Sequence, residues 1–214
     1  MTSMNKLTAI PRLKEILGFY PQTRAFFFDM DGTLCDSEHL HAKSFAKMAQ
    51  KYQINIPYPP EIVHQRLVGK ADHLLFEEVK TWPGFPDHFS LDSFRDEKNK
   101  NLLDILDFPQ QLLSQEMNIL LNEIKDQNHI LGLVTSSEKI ITNKIIENSG
   151  IGHLFDFFIT RDDVPKHKPD PYPYIKAIEL SRMEANQCVI FEDSPVGLTA
   201  AKESGANYFW AQWF

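Results

Sequence analysis

Two aspartates separated by one residue, Asp29-Met30-Asp31-Gly32-Thr33, follow the apolar run Ala25-Phe26-Phe27-Phe28. Residues two apart on a strand point the same way, so both carboxylates can address one site beyond the strand end. Gly32 permits the tight exit. Neighbouring carboxylates repel, which favours either a bound cation or one raised pKa. A nucleophile paired with a general acid/base has the same needs. Three more polar groups end apolar runs. Thr135-Ser136-Ser137 follows Ile130–Val134, and a hydroxyl beside the amides of a helix N-terminus is an anion seat. Lys168 sits in His167-Lys168-Pro169-Asp170-Pro171, where it can neutralise a phosphoryl oxygen or keep a nucleophilic carboxylate ionised. Glu192-Asp193-Ser194 follows Cys188–Phe191, and two acids at a buried strand end suit Mg2+, which takes oxygen ligands. Each group alone has a plain structural use as turn former, N-cap or surface charge.

The elements that must position these groups alternate in type. Short apolar runs at 25–29, 130–134, 155–160, 188–191 and 207–211 read as buried strands. Helical stripes lie between them, from Leu113 to Ile124 and over 138–149, 173–181 and 195–204. Pro195 sits in the first turn of the last of these, with Gly205 just past its end. Such alternation implies right-handed crossovers and a parallel sheet. Between about 38 and 106 the texture is helical only, with stretches at 42–49, 61–68, 72–80 and 91–106 broken by prolines. The expected division is therefore 1–36 with 107–214 as a Rossmann-like α/β core, and 37–106 as an α-helical insert after the first core strand. Residues 1–20 read as a lead-in of no assigned role.

In open α/β sheets, ligands bind at the carboxyl ends of strands, and all four polar groups fall there. In this order they resemble the haloacid dehalogenase-like hydrolase superfamily, and more narrowly the branch of β-phosphoglucomutase and small sugar-phosphate phosphatases. The resemblance runs from about Phe26 to Asn207. It implies Asp29 as the nucleophile forming an aspartyl phosphate, and Asp31 as general acid/base that also offers its backbone carbonyl to Mg2+. It further implies Thr135, Ser136 and Lys168 at the phosphate, and a metal site of Asp29, Asp31, Glu192 and Asp193. The insert matches the family's helical cap, with His41, Gly69, Lys70 and Lys98 as candidate substrate residues. Asp72 falls where the mutase carries an arginine for a distal phosphate, and Pro109-Gln110 replaces a Pro-Gly. The implied activity is a Mg2+-dependent phosphatase acting on a small phosphomonoester, with the phosphosugar mutase as alternative. A phosphoacceptor signalling domain is disfavoured by the insert and by Asp31; a non-catalytic phosphate-binding protein is disfavoured by the complete motif set.

Composition narrows the partners. The 214 residues carry 22 basic and 29 acidic side chains, a net charge of −7, whereas nucleic acid and anionic membrane both call for a basic face. No apolar run approaches the ~20 residues of a membrane span. Cys35 and Cys188 form no CxxC pair and read as small buried hydrophobes in a reduced, cytoplasmic setting. A small phosphorylated metabolite is the expected partner, and a monomer or weak dimer the expected assembly.

Overall fold

The computed structural model describes residues 5–59 and 72–214. The chain divides into two compact units, Met1–Asp36 with Gln111–Phe214, and Ser37–Gln110. Among the described residues the first unit is built on one six-stranded sheet, ordered β1-β6-β5-β2-β3-β4 and parallel throughout. The strands are β1 (Lys6–Leu7), β2 (Ala25–Phe28), β3 (Ile130–Val134), β4 (Phe157–Ile159), β5 (Cys188–Glu192) and β6 (Asn207–Ala211). β2 is central, paired in register with β3 (Phe28 opposite Leu133) and with β5 (Phe28 opposite Phe191). The ends of these three strands therefore lie side by side and carry three of the four polar groups, while Lys168 lies in the loop between β4 and the helix Tyr172–Ser181.

Every residue of β2 is fully buried, as a strand covered on both faces requires. Ala25 and Phe27 join a cluster with Val134, Ile159, Tyr174, Ala177, Ile190, Ala200 and Ala201. That cluster places helices Tyr172–Ser181 and Pro195–Glu203 on one face. Phe28 stacks on Phe191 with ring centroids 4.5 Å apart, and Phe191 stacks on Phe209 at 5.5 Å. This ladder ties β2, β5 and β6 together, and Phe19 and Tyr20 close it edge-on against Phe209. Each buried Phe contributes about 1.5–3 kcal/mol by burial.

The N-terminal lead-in has a structural task that pattern reading passed over. Lys6–Leu7 adds a parallel strand outside β6, and Leu13–Phe19 forms a helix that buries Leu13 and Ile16. A two-residue strand is too short to show an alternation. The fourth strand is shorter than the 155–160 expected, because Phe155 and Asp156 lie in the turn that leads into it. Asp156 uses its carboxylate there to accept from the Leu131 N–H, 2.8 Å.

The second unit follows β2 in sequence. It contains helices Glu38–Lys51, Asp72–Val79 and Leu91–Leu106 around Phe45, Met48, Leu75, Val79, Trp82 and Phe94. Among its described residues there is no strand. The expected stretch at 61–68 and the candidates Gly69 and Lys70 lie outside the described residues. In the first unit, the Asp36 N–H donates to the Leu112 carbonyl at 2.9 Å, joining the points where the insert departs and returns. No helix among the described residues is long and apolar enough to cross a membrane. Both cysteines are buried, and burial pushes their thiols up to about 12 at Cys35 and about 11 at Cys188, so both stay protonated at neutral pH.

Gly132 is where β3 admits a neighbour. A Cβ there would lie 2.5 Å from Phe157 Cε2 and 3.1 Å from Phe27 Cδ1, both packed aromatic rings. Gly132→Val should destabilise the fold by about 1–3 kcal/mol. At about 2–4 °C per kcal/mol for a chain of this size, that is a clear fall in melting temperature. An unchanged melting curve would show that the rings can move aside.

Candidate active site

Asp29 stands one residue beyond β2, and its backbone N–H donates to the Phe191 carbonyl at 3.0 Å. The ladder of β2 on β5 thus extends through the first residue of the acidic turn and fixes its height above the sheet. Carboxylate oxygens of Asp29, Glu192 and Asp193 lie within 4.8 Å of one another. The beginning of the chain and a segment near its end therefore meet at one point.

Lys168 binds this cluster together. Its Nζ donates to Asp29 Oδ1 at 2.6 Å, to Glu192 Oε1 at 2.5 Å and to the Val134 carbonyl at 2.9 Å. It also lies 4.8 Å from the centre of the Tyr174 ring. An ammonium has three protons, and all three are used within the chain. Of the two uses the sequence allowed for Lys168, a bond to a carboxylate, that of Asp29, is the one visible here. Burial opposes its charge, but Asp29 and Glu192 carry its pKa above the ordinary lysine value.

Glu192 is completely buried. Its Oε1 accepts from Lys168 and from the Tyr174 hydroxyl at 2.8 Å; its Oε2 accepts from the Ser194 hydroxyl at 3.1 Å and the Ser194 N–H at 3.3 Å. These contacts make Glu192 an anchor of the lysine as well as a member of the acid cluster. Ser194 also caps the next helix, accepting from the Gly197 N–H at 3.0 Å. Tyr174 and Gly197 escaped the motif reading. An aromatic within a helix carries no mark of a polar partner, and nothing in a helical pattern marks the face on which a glycine makes room. A Cβ on Gly197 would lie 1.9 Å from Glu192 Cδ, and one on Gly32 would lie 2.6 Å from Asp193 Oδ2. Gly32 also has φ +77°, the left-handed region that L side chains rarely adopt.

Asp31 lies outside the three-acid cluster, and its Oδ2 accepts from the Ser137 hydroxyl at 2.8 Å. Ser137, noted only as part of the Thr-Ser-Ser run, thus orients the second aspartate. Thr135 is buried and its Oγ1 accepts from the Ser137 N–H at 3.0 Å, which leaves its own proton for another acceptor; Ser136 is exposed. In the helical unit, His41 lies on Glu38–Lys51. Lys98 is buried there and ion-paired to Asp72, which is also 3.4 Å from Arg95 Nε. Burial opposes the Asp72 charge, yet Lys98, His41 and Arg95 together hold its pKa below the usual carboxylate range.

Three clustered carboxylates face one ammonium. Burial pushes Asp29 well above the usual carboxylate range, and Glu192 and Asp193 push the same way against Lys168. That surplus of negative charge, on oxygen ligands within reach of one another, fits a small hard divalent cation.

Residues 26–211 match the family model of the haloacid dehalogenase-like hydrolases, and the chain belongs to that family. It is 29% identical to the validoxylamine A 7'-phosphate phosphatase of Streptomyces hygroscopicus subsp. limoneus, over 83% of this chain and 80% of that protein. It is 28% identical to a phosphorylated carbohydrates phosphatase of Thermotoga maritima, over 85% and 81%. The fold is similar to the crystal structure of β-phosphoglucomutase from Clostridium difficile, with a TM-score of 0.71 at 23% identity over 87% and 83% of the two chains.

Alanine is a better helix former than glycine by about 1 kcal/mol, so Gly197→Ala should stabilise an unencumbered helix. Here the methyl group meets Glu192, and the expected outcome is a lower melting temperature. A raised one would show that the carboxylate has another place to go.

Proposed function

We propose that the chain is a Mg2+-dependent phosphatase that hydrolyses a small phosphomonoester, a sugar phosphate by class, through an aspartyl phosphate on Asp29. The convergence of Asp29, Glu192 and Asp193 with Lys168 bonded to Asp29 carries this reading. The named activities of the two phosphatase relatives support the substrate class.

Lys168 holds Asp29 Oδ1 and favours its ionised form against burial, leaving the other oxygen to address phosphorus. As the Asp29–phosphorus bond forms and the ester P–O bond breaks in line, Asp31 gives its proton to the departing oxygen. Asp31, held at Oδ2 by Ser137, then takes a proton from water. That water attacks phosphorus, the Asp29–phosphorus bond breaks, and inorganic phosphate leaves. The Thr135 hydroxyl and the Ser136 amide are assigned to the phosphoryl oxygens. A divalent cation would be held by Asp29, Asp193, Glu192 and the Asp31 carbonyl. When bound, it would neutralise the clustered acids and polarise the phosphoryl group. The helical unit Ser37–Gln110 acts as the substrate-selecting cap, with His41 and Lys98 among its described polar groups as the candidate substrate residues.

The test is a panel of phosphorylated sugars assayed for free phosphate and for isomerised product. Net phosphate release that stops in EDTA and returns with Mg2+ is expected. Isomer without net phosphate would assign the mutase reaction instead. Asp29→Asn should lower turnover by about 10^4-fold or more while the circular dichroism spectrum is retained. Turnover near the wild-type rate in that variant would refute the covalent scheme.

A further inference from the structure

The end of the first unit carries two of the chain's three tryptophans, and neither has a part in the chemistry above. Trp210 lies in β6, and its indole N–H donates to the Asp193 backbone carbonyl at 3.0 Å. Trp213, just past the strand, donates its indole N–H to the Thr33 carbonyl at 2.8 Å. Thr33 in turn donates through Oγ1 to Asp193 Oδ1 at 3.0 Å. An indole has a single N–H and no acceptor, and both indoles use theirs on the loops that carry the acids. The four residues form a closed circuit: Trp210 to Asp193, Asp193 to Thr33, Thr33 to Trp213, and back along three residues of chain.

The circuit stands on rigid supports. The Trp210 backbone N–H donates to the Asn5 carbonyl at 2.9 Å, and Lys6 Nζ lies 5.1 Å from the Trp210 ring centre, so β1 backs the first tryptophan. The Phe191 ring, next to Glu192 in β5, lies 6.1 Å from the Trp213 ring. Thr33 is fully buried.

We propose that Trp210 and Trp213 are positioning residues that strap the turn after β2 to the turn after β5. They hold Asp193 and the Asp31–Thr33 backbone at the spacing a divalent cation needs before it arrives. Repulsion among the clustered carboxylates would otherwise drive these two loops apart, and the strap opposes it through two backbone carbonyls that carry no net charge. The inference rests on the metal-dependent reading of the site. It gives β6 and the residues after it a task beyond closing the sheet edge.

The test is calorimetric titration of Mg2+ into the full chain without substrate, for wild type, Trp210→Phe, Trp213→Phe and the double variant, with a melting curve for each. Phenylalanine keeps a packed aromatic ring but loses the N–H together with part of the indole's bulk, and the melting curve reports the second loss. Outer-shell partners of metal ligands are worth about 10–100-fold in affinity, so each single variant should bind Mg2+ about tenfold more weakly. The double variant should lose less than the product, because both indoles serve one circuit. Thr33→Val enters the same circuit from the other side with both indoles in place, and decides the matter if a tryptophan variant does not fold. A loss of about fivefold or more sustains the proposal; a smaller one overturns it, whatever the melting temperature does. A wild-type chain that takes up no Mg2+ overturns the metal-dependent reading itself, and the strap with it.

Discussion

A buried ammonium ringed by acceptors is the constraint around which this site is organised. An isolated charge at the depth of Lys168 would be costly. Its three bonds, to Asp29, Glu192 and the Val134 carbonyl, make the position tenable. Each bond comes from a different strand end: β2 offers Asp29, β3 its last carbonyl and β5 Glu192. The lysine is therefore a gauge of the sheet, satisfied only when the three central strands stand in their observed register. A slip of one residue in any of them would turn the acceptor away and leave a charge unpaired.

Space around the acids is regulated as tightly as charge. Glu192 turns back under the site because Gly197 has no side chain, and Asp193 approaches the first turn because Gly32 has none. Tyr174 closes the arrangement from below, with its ring against Lys168 and its hydroxyl on Glu192. Burial raises the Tyr174 pKa, and Glu192 and Asp29 raise it further, so the hydroxyl keeps the proton it donates. The result is a polar network with few alternative arrangements, enclosed by aromatic and aliphatic packing, where hydrogen bonds are strong and unpaired groups costly.

The aromatic ladder Phe28–Phe191–Phe209 and the tail tryptophans connect this site to the edge of the sheet. β1 and β6, the strands farthest from β4, have no acid of their own in the cluster. They contribute by backing the loops: Trp210 and Trp213 reach the backbones of Asp193 and Thr33 from that side. The N-terminal lead-in joins the same structure, since its strand covers the outer edge of β6.

Pattern in the chain was enough for the parallel sheet, because runs such as Phe26–Phe28 and Val189–Phe191 can be buried on both faces only there. The polar residues that end those runs marked the site for the same reason, as a carboxylate or hydroxyl after a wholly buried strand has nowhere to go but its carboxyl end. Which atoms then meet was decided by tertiary structure. Lys168 could serve a phosphate or an aspartate, and only the convergence of three strand ends assigns its protons to the chain. Gly197, Tyr174, Ser137 and the two tryptophans look like helix, core and edge residues in sequence. Their contacts cross from one element to another, and such contacts have no period along the chain. Local pattern reports which face a residue shows, whereas the partner across that face is chosen only when the sheet and its helices have packed.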